Sequence, residues 1–310
     1  MDRTLKLEQK KEGNPHQFIV NIPEHFRDNS WSDTIGKFQK EINGLTITEY
    51  ITFDFRQCRW IDPLPLLSLL IEIVRARKRN VNVDAVFPAS DSGEIDLTLS
   101  SFYKKSPNRF LLFLTNEGFF SELTKYIPFT IGKDKLEVDN NKNNLQTLKK
   151  YADISETPCY IDSHFIPIKL YDVPLLSDLV NAESFAAETV ESLLNDIELT
   201  LHAKCSAPER RYLLYKLRAI LQEFLHNVQE HAYLNENIRL AALYVRYRQG
   251  GAILPSNTEK QFFDDGVNKE YENCKKTSKD WLVSRTGCLE VFFLDRGLGI
   301  VNHFYSEKEE

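Results

Sequence analysis

Short apolar stretches and longer runs with helical spacing alternate along the first half of the chain. The short stretches predict strands, which are Phe18–Ile22, Ile51–Phe55, Val81–Phe87 and Phe110–Leu114. Apolar residues at helical spacing predict helices, which cover 32–42, 66–79 and 118–126. This alternation of strands and helices predicts a layered α/β domain.

The second half has longer helical patterns and fewer strands. It predicts a strand at Phe165–Leu170, two long helices over 177–202 and 208–233, and strands over 238–247 and 288–294. Residues 132–144 are polar and charged, which is typical of a linker or a surface excursion. We therefore predict a first domain over 1–131, a connecting segment over 132–160 and a second domain over 161–310.

Composition limits the classes of function. The chain has 310 residues, a net charge of −6 and five scattered cysteines with no CxxC pair. Its length suggests about two domains. The acidic balance does not favour nucleic-acid binding, and the basic run Arg75–Arg79 is interpreted as a solvated helix end. The cysteines form neither a disulfide framework nor a zinc-site spacing. With no apolar signal segment and no apolar run long enough to span a bilayer, the protein is expected to be cytoplasmic and away from membranes.

Three polar residues follow one another at intervals of four within the second long helix. Glu223, Asn227 and His231 therefore share one helix face, beside an apolar stripe that includes Leu221 and Val228. An amide oxygen is a hard ligand that suits Mg²⁺, and a carboxylate can orient or deprotonate an attacking water or hydroxyl. An ordinary solvated helix face is the alternative interpretation of this segment.

The last predicted strand ends in a carboxylate followed by glycines. Asp295 closes an apolar run, and Gly297 and Gly299 follow in a DxGxGI pattern. Glycine lets the backbone approach a ligand closely. A carboxylate at the end of a buried strand needs hydrogen-bond donors, and the amino group of adenine is one. A simple strand-to-loop turn is the alternative.

Taken together, the two segments resemble the N box and the G1 box of the GHKL (Bergerat-fold) ATPases. The N-box pattern matches Glu223, Asn227 and His231-Ala232, and the G1 pattern matches Asp295, Gly297, Gly299 and Ile300. The stretch from Asn227 to Tyr233, which ends in His-Ala-Tyr, is similar to the anti-sigma-factor serine kinase branch.

This resemblance implies ATP and Mg²⁺ as cofactors and gives each residue a role. Asn227 would bind Mg²⁺, Glu223 would be the general base, and Asp295 would read the adenine amino group. The remaining motif positions would contribute to nucleotide binding, and they are His231, Gly297, Gly299 and Ile300.

The sequence departs from the family pattern after the G1 box. The second glycine box that the family has is not found, and about 40 polar residues separate the last two strands. We therefore expect an incomplete GHKL α/β sandwich, belonging to a longer protein or completed by another chain.

The N-terminal region resembles a STAS domain over about residues 15–130. The similarity rests on Ile51–Phe55, the turn at 60–63, the following helix and the strand Val81–Phe87. Anti-sigma-factor antagonists of this kind have a phosphorylatable hydroxyl directly after the aspartate of that turn. Here Pro63 follows Asp62, and Ser68 lies further along. A generic α/β interaction domain is the alternative.

Three functions follow from these resemblances. The first is an ATP- and Mg-dependent switch with ATPase activity, coupled to a STAS-like interaction module. The second is a protein serine/threonine kinase that acts on a partner, and the third is a non-catalytic scaffold with a degenerate ATP site. A protein partner is expected, and a homodimer is left open. A histidine kinase is disfavoured because no acidic residue follows His202, the only upstream histidine on a nearby predicted helix.

Overall fold

The computed structural model describes most of the chain, including every predicted strand, residues 38–42 of the first predicted helix and the larger part of each other predicted helix. The described residues are 6–9, 17–27, 38–45, 49–89, 109–138, 140–152, 165–173, 179–202, 207–231, 238–248 and 288–295. Helices and strands are mixed along the chain, and parallel and antiparallel pairs occur together. The predicted α/β class is therefore confirmed, whereas the STAS and GHKL folds remain predictions.

The first half of the chain forms a six-stranded sheet and a separate pair of short parallel strands. The sheet has the order β1-β2-β4-β6-β7-β8, with strands β1 (Lys6–Gln9), β2 (Gln17–Asn21), β4 (Tyr50–Asp54), β6 (Asn82–Phe87), β7 (Phe129–Ile131) and β8 (Asp134–Leu136). The separate pair is β3 (His25–Phe26) and β5 (Trp60–Ile61). The four inner strands of the sheet are parallel, and the two outer strands are antiparallel to their neighbours.

Five helices accompany this sheet. They are α1 (described part 38–43), α2 (Pro63–Lys78), α3 (Arg109–Asn116), α4 (Phe119–Leu123) and α5 (Asn141–Ala152). The strand predicted for Phe110–Leu114 is wrong, because these residues lie in α3 and all five are buried. A short apolar run that is buried all round has no periodicity that separates a strand from a helix.

Part of the predicted connecting segment belongs to the first sheet and its helices. Within 132–160, β8 pairs with β7, and α5 packs against α3. The buried side chain of Asn144 on α5 donates a hydrogen bond to the Glu137 carbonyl oxygen (2.7 Å) and accepts one from the Glu137 backbone amide (3.2 Å). The polar composition of the segment 132–144 is therefore compatible with regular structure, because a few buried contacts hold this segment in place.

The core of the first half is rich in stacked phenylalanines. Phe87 at the end of β6 stacks on Phe55 with ring centroids 4.6 Å apart, and it meets Phe120 of α4 edge-on at 4.9 Å. Phe120 in turn stacks on Phe129 of β7 at 5.0 Å. All four rings are almost fully buried, and aromatic pairs in these geometries add to the gain from burial. They join α4 to the carboxyl ends of the parallel strands.

The second half forms a three-stranded antiparallel sheet with two long helices. The strands are β9 (Phe165–Asp172), β10 (Leu240–Arg248) and β11 (Cys288–Asp295), in the order β11-β10-β9. The helices are α6 (Leu179–His202) and α7 (Ala207–His231), which pack against each other. These five elements confirm the strands and helices predicted for this region.

Helix α2 joins the two halves of the structure. Twelve of its sixteen residues are buried, as expected for a helix that is apolar all round. It contacts β6 of the first sheet and β10 and β11 of the second. Leu240, Ala242 and Tyr244 of β10 belong to the same hydrophobic cluster as the core of the first half. The back of the three-stranded sheet is therefore covered by α2.

The turn between α3 and α4 makes a second, closer contact between the two halves. The Ile168 amide on β9 donates a hydrogen bond to the Glu117 carbonyl oxygen (2.8 Å). Gly118 follows with φ +79°, and a Cβ added there would lie 2.6 Å from the Pro167 Cβ. Both the backbone conformation and the space require glycine at this position.

We predict that Gly118→Ala lowers the free energy of unfolding by about 2 kcal/mol or more, because it combines strain at positive φ with a clash against β9. The measurement is urea denaturation of the full chain. Gly44→Ala is the matched control, since a Cβ there meets its nearest atom at 3.4 Å and should change stability by no more than about 0.5 kcal/mol. Equal stabilities of the two variants would show that the Gly118–Pro167 contact does not matter.

Candidate functional site

Helix α7 has one buried face and one exposed face. Leu221, Leu225 and Val228 are buried against the sheet and α6, at intervals of three and four residues. Glu223 and Asn227 lie on the other face, and both are exposed. The apolar stripe therefore fixes the rotation of the helix, and that rotation presents the predicted catalytic and metal-binding side chains to solvent.

Glu223 and Asn227 contact each other directly. The Asn227 amide nitrogen donates a hydrogen bond to the Glu223 carboxylate, with Nδ2 and Oε1 3.3 Å apart. The Asn227 amide oxygen and the second Glu223 oxygen take no part in this hydrogen bond. One hard oxygen ligand and one carboxylate are thus placed one turn apart, which suits a hydrated Mg²⁺ ion next to a general base.

Asp295 lies on the same side of the sheet as α7. In the β10–β11 pair it stands directly opposite Ala241, and residues directly opposite in an antiparallel pair point to the same face. Ala241 packs with Val228 of α7, and Phe293, two residues before Asp295, packs against both. The end of β11 and the C-terminal half of α7 therefore lie on the same side of the three-stranded sheet.

An aromatic contact that was not predicted reinforces this junction. Phe224, the residue next to Glu223, lies against Phe293 with ring centroids 4.7 Å apart. Phe224 is 44% exposed, so this ring pair remains partly open to solvent at the junction of α7 and β11. The adjacent phenylalanines of β11 were visible in the sequence, but their partner on α7 depends on how the helix is rotated.

The other predicted site residues are only partly described. The backbone of His231 closes α7, and its side chain lies outside the described part of the structure. Gly297, Gly299 and Ile300 follow β11 and also lie outside the described residues.

Ion pairs hold the helices around this site. Arg218 of α7 binds Glu191 of α6, and this hydrogen bond is the main cause that lowers the pKa of the Glu191 carboxyl. Lys169 of β9 binds Asp196 of α6 at 2.8 Å. These pairs are exposed to solvent and so contribute little to stability, but they help to set the register between α6 and its neighbours.

The turn that contains Asp62 lacks an accessible hydroxyl for phosphorylation. Asp62 precedes Pro63 at the start of α2, and its carboxylate accepts hydrogen bonds from the Trp60 indole (2.6 Å) and the Arg27 guanidinium (3.4 Å). The Ser68 side chain is buried inside α2. A protein kinase could therefore not reach the Ser68 hydroxyl in the folded chain.

The basic run at the end of α2 is used in structural contacts. Arg79 donates hydrogen bonds to the carbonyl oxygens of Asn43 (2.7 Å), the last residue of α1, and of Leu45 (3.3 Å) just after it. Lys78 binds Asp172 at the end of β9. The run that the sequence suggested to be a solvated helix end therefore includes cations that link separate elements of the fold.

Comparison of the chain with protein-family models, with curated proteins and with solved structures found no match. Among the described residues, no helix is long and apolar enough to cross a membrane. In the same part of the chain, no group of three or more His, Cys, Asp and Glu side chains could hold a metal ion.

Tyr171 on β9 offers a test of how the site is built. Burial, with help from the carboxylates of Glu122 and Asp196, raises the pKa of Tyr171 above its usual 10.0. Because the unfolded chain loses this proton first, the tyrosine contributes stability below about pH 10 that is lost as the pH rises further.

We predict that Tyr171→Phe loses less stability than the wild type between pH 9 and pH 11, with the two curves diverging by up to about 1.4 kcal/mol per pH unit above pH 10. The measurement is urea denaturation at each pH. The control Tyr215→Phe changes a ring that is 70% exposed and should follow the wild type. Parallel curves for wild type and Tyr171→Phe would contradict the burial of this hydroxyl.

Proposed function

We propose that this protein binds Mg-ATP at the junction of α7 and β11 and acts as a nucleotide-dependent switch with ATPase activity. The observation that supports this most directly is the position of Asp295, which lies on the α7 side of the sheet, opposite Ala241 and next to the Val228–Phe293 contact. Asp295 therefore lies on the side of the sheet that α7 covers, although 68 residues separate it from Asn227 in the chain.

Asn227 fits the role of a metal ligand. Its side chain is exposed and its amide nitrogen is engaged by Glu223, so the amide oxygen points away from that contact. Mg²⁺ accepts few protein ligands and keeps water and phosphate oxygens for its other positions. Bound Mg²⁺ would neutralise charge on the phosphate groups during transfer. One amide oxygen at the surface is compatible with such a site.

Glu223 fits the role of a general base. Its carboxylate lies one turn before Asn227 on the same face of α7. A carboxylate in this position can hold the proton of an attacking water molecule or of a partner's hydroxyl. The same residue would therefore serve an ATPase or a protein kinase, and the acceptor distinguishes the two.

Asp295 fits the role of an adenine-reading acid. It follows an apolar strand whose Phe293 packs on α7, so an apolar surface lies next to its carboxylate. A carboxylate oxygen accepts hydrogen bonds, and the exocyclic amino group of adenine can donate one. Aromatic and aliphatic side chains are also what a purine ring packs against.

The contact between the three-stranded sheet and α2 offers a route from this site to the STAS-like half. Ala241 of β10 faces α7, whereas its neighbour Ala242 belongs to the cluster around α2. Nucleotide binding can shift the arrangement of the two halves only if it favours one arrangement over another. A protein partner that contacts the first half would then sense the nucleotide.

We predict that the full chain binds Mg-ATP in titration calorimetry and that Asn227→Ala and Asp295→Ala each raise the dissociation constant at least about tenfold, a loss of about 1.4 kcal/mol. Gln222→Ala is the matched control, because it truncates an exposed amide on the same helix away from the site face and should bind like the wild type. The absence of binding at millimolar Mg-ATP would refute the proposed function.

We predict that Glu223→Gln keeps Mg-ATP binding but lowers turnover about 100-fold or more, the usual contribution of a general base. Phosphate release measures hydrolysis, and transfer of labelled phosphate to protein measures kinase activity. Release of phosphate without its transfer to protein supports the ATPase. Transfer of phosphate to protein without release supports the kinase. Binding with neither activity in the wild type would indicate a scaffold with an inactive site.

A further inference from the structure

The exposed face of α7 is apolar over several turns before the candidate site. Tyr212 is 63% exposed, Tyr215 70% and Ile220 53%. These are three of the six large hydrophobic side chains that are exposed in the described part of the chain, and a fourth, Phe224, lies on the same helix. Large apolar side chains gathered on one surface mark an interaction site more often than scattered ones do.

Charges at the two ends of this face have opposite signs. The exposed side chain of Lys216 lies towards the N-terminal end, with its ammonium 5.6 Å from the centre of the Tyr212 ring. Glu223 lies two turns further on, on the same face. Between them are the small residue Ala219, which is exposed, and Ile220. The face is thus basic at one end, apolar in the middle and acidic at the other end.

We infer that a second copy of this chain binds this face, with the two α7 helices antiparallel. A two-fold contact brings the same patch of both copies together, so the patch must complement itself. Ala219 and Ile220 lie midway between Lys216 and Glu223. An antiparallel pairing centred there places Lys216 of each copy opposite Glu223 of the other. A partner of uniform charge would match only one end of the face.

The centre of the face suits a close approach of two helices. Ala219 has a small side chain, so the helix backbones can come near each other, and the Ile220 side chains would bury apolar surface next to the two-fold axis. Tyr212 of one copy would lie opposite Asn227 of the other, at the same distance from the axis. The interface therefore covers both Glu223 and Asn227.

The second copy and the nucleotide consequently compete for one surface, a consequence that rests on the proposed function. With Glu223 paired to Lys216 of the other copy, its carboxylate is not available to an attacking water molecule. The dimer is the inactive form, and Mg-ATP favours the monomer. The self-association itself does not depend on nucleotide binding.

The experiment is sedimentation equilibrium of the full chain at low ionic strength, without nucleotide. We expect a monomer–dimer equilibrium that Lys216→Glu weakens about tenfold or more, because two like-charge contacts replace two ion pairs. Glu223→Lys should weaken it equally, and the double variant Lys216→Glu/Glu223→Lys should restore it. Lys133→Glu, a charge reversal at an exposed position in the β7–β8 turn, is the control and should leave the dimer intact.

A protein that stays monomeric at about 100 μM would overturn the inference, because its dimer would then have a dissociation constant well above that concentration. A dimer that neither Lys216→Glu nor Ile220→Arg weakens would also overturn it. Addition of saturating Mg-ATP should lower the dimer fraction, and an unchanged fraction with nucleotide bound by calorimetry would overturn the competition. If calorimetry shows no nucleotide binding, the charge-reversal series still tests whether the chain dimerises through Lys216 and Glu223.

Discussion

The burial of β10 on both faces is the constraint on which the rest of the structure depends. Its residues alternate between two clusters. Leu240, Ala242 and Tyr244 pack into the core around α2. Leu243 and Val245 pack against α6 and α7. A strand with both faces covered exposes no apolar surface to water on either side. The three-stranded sheet therefore connects the first half of the chain to the helices of the candidate site.

This central strand also decides what α7 can present. The helix covers one side of the sheet with Leu221, Leu225 and Val228, and these three residues leave no freedom in its rotation. Everything on the opposite face, from Tyr212 to Asn227, is held towards solvent. The proposed nucleotide site and the proposed dimer surface share one face of this helix, so binding of one ligand excludes binding of the other.

Local sequence patterns predicted the secondary structure correctly where the burial of each residue follows from the periodicity of its own helix or strand. The spacing of the apolar stripe predicted α7, and the alternation in the second half predicted β9, β10 and β11. Patterns failed where tertiary contacts decide. The run Phe110–Leu114 is buried on all sides and forms a helix. The polar residues after Ile131 gave no apolar signal, yet β8 pairs with β7, and Asn144 holds α5 to the chain before it.

By itself, the sequence determined the α/β class, the long helices and the pairing of Glu223 with Asn227, because residues four apart on a helix must meet. It also supplied the motifs from which the nucleotide hypothesis was made. Only the tertiary structure decided that Asp295 lies on the α7 side of its sheet, because the β10–β11 register fixes the face of each residue. It alone decided that α2 covers the other side of the sheet and that Ser68 is buried. These facts depend on contacts between residues far apart in the chain, which no local periodicity records.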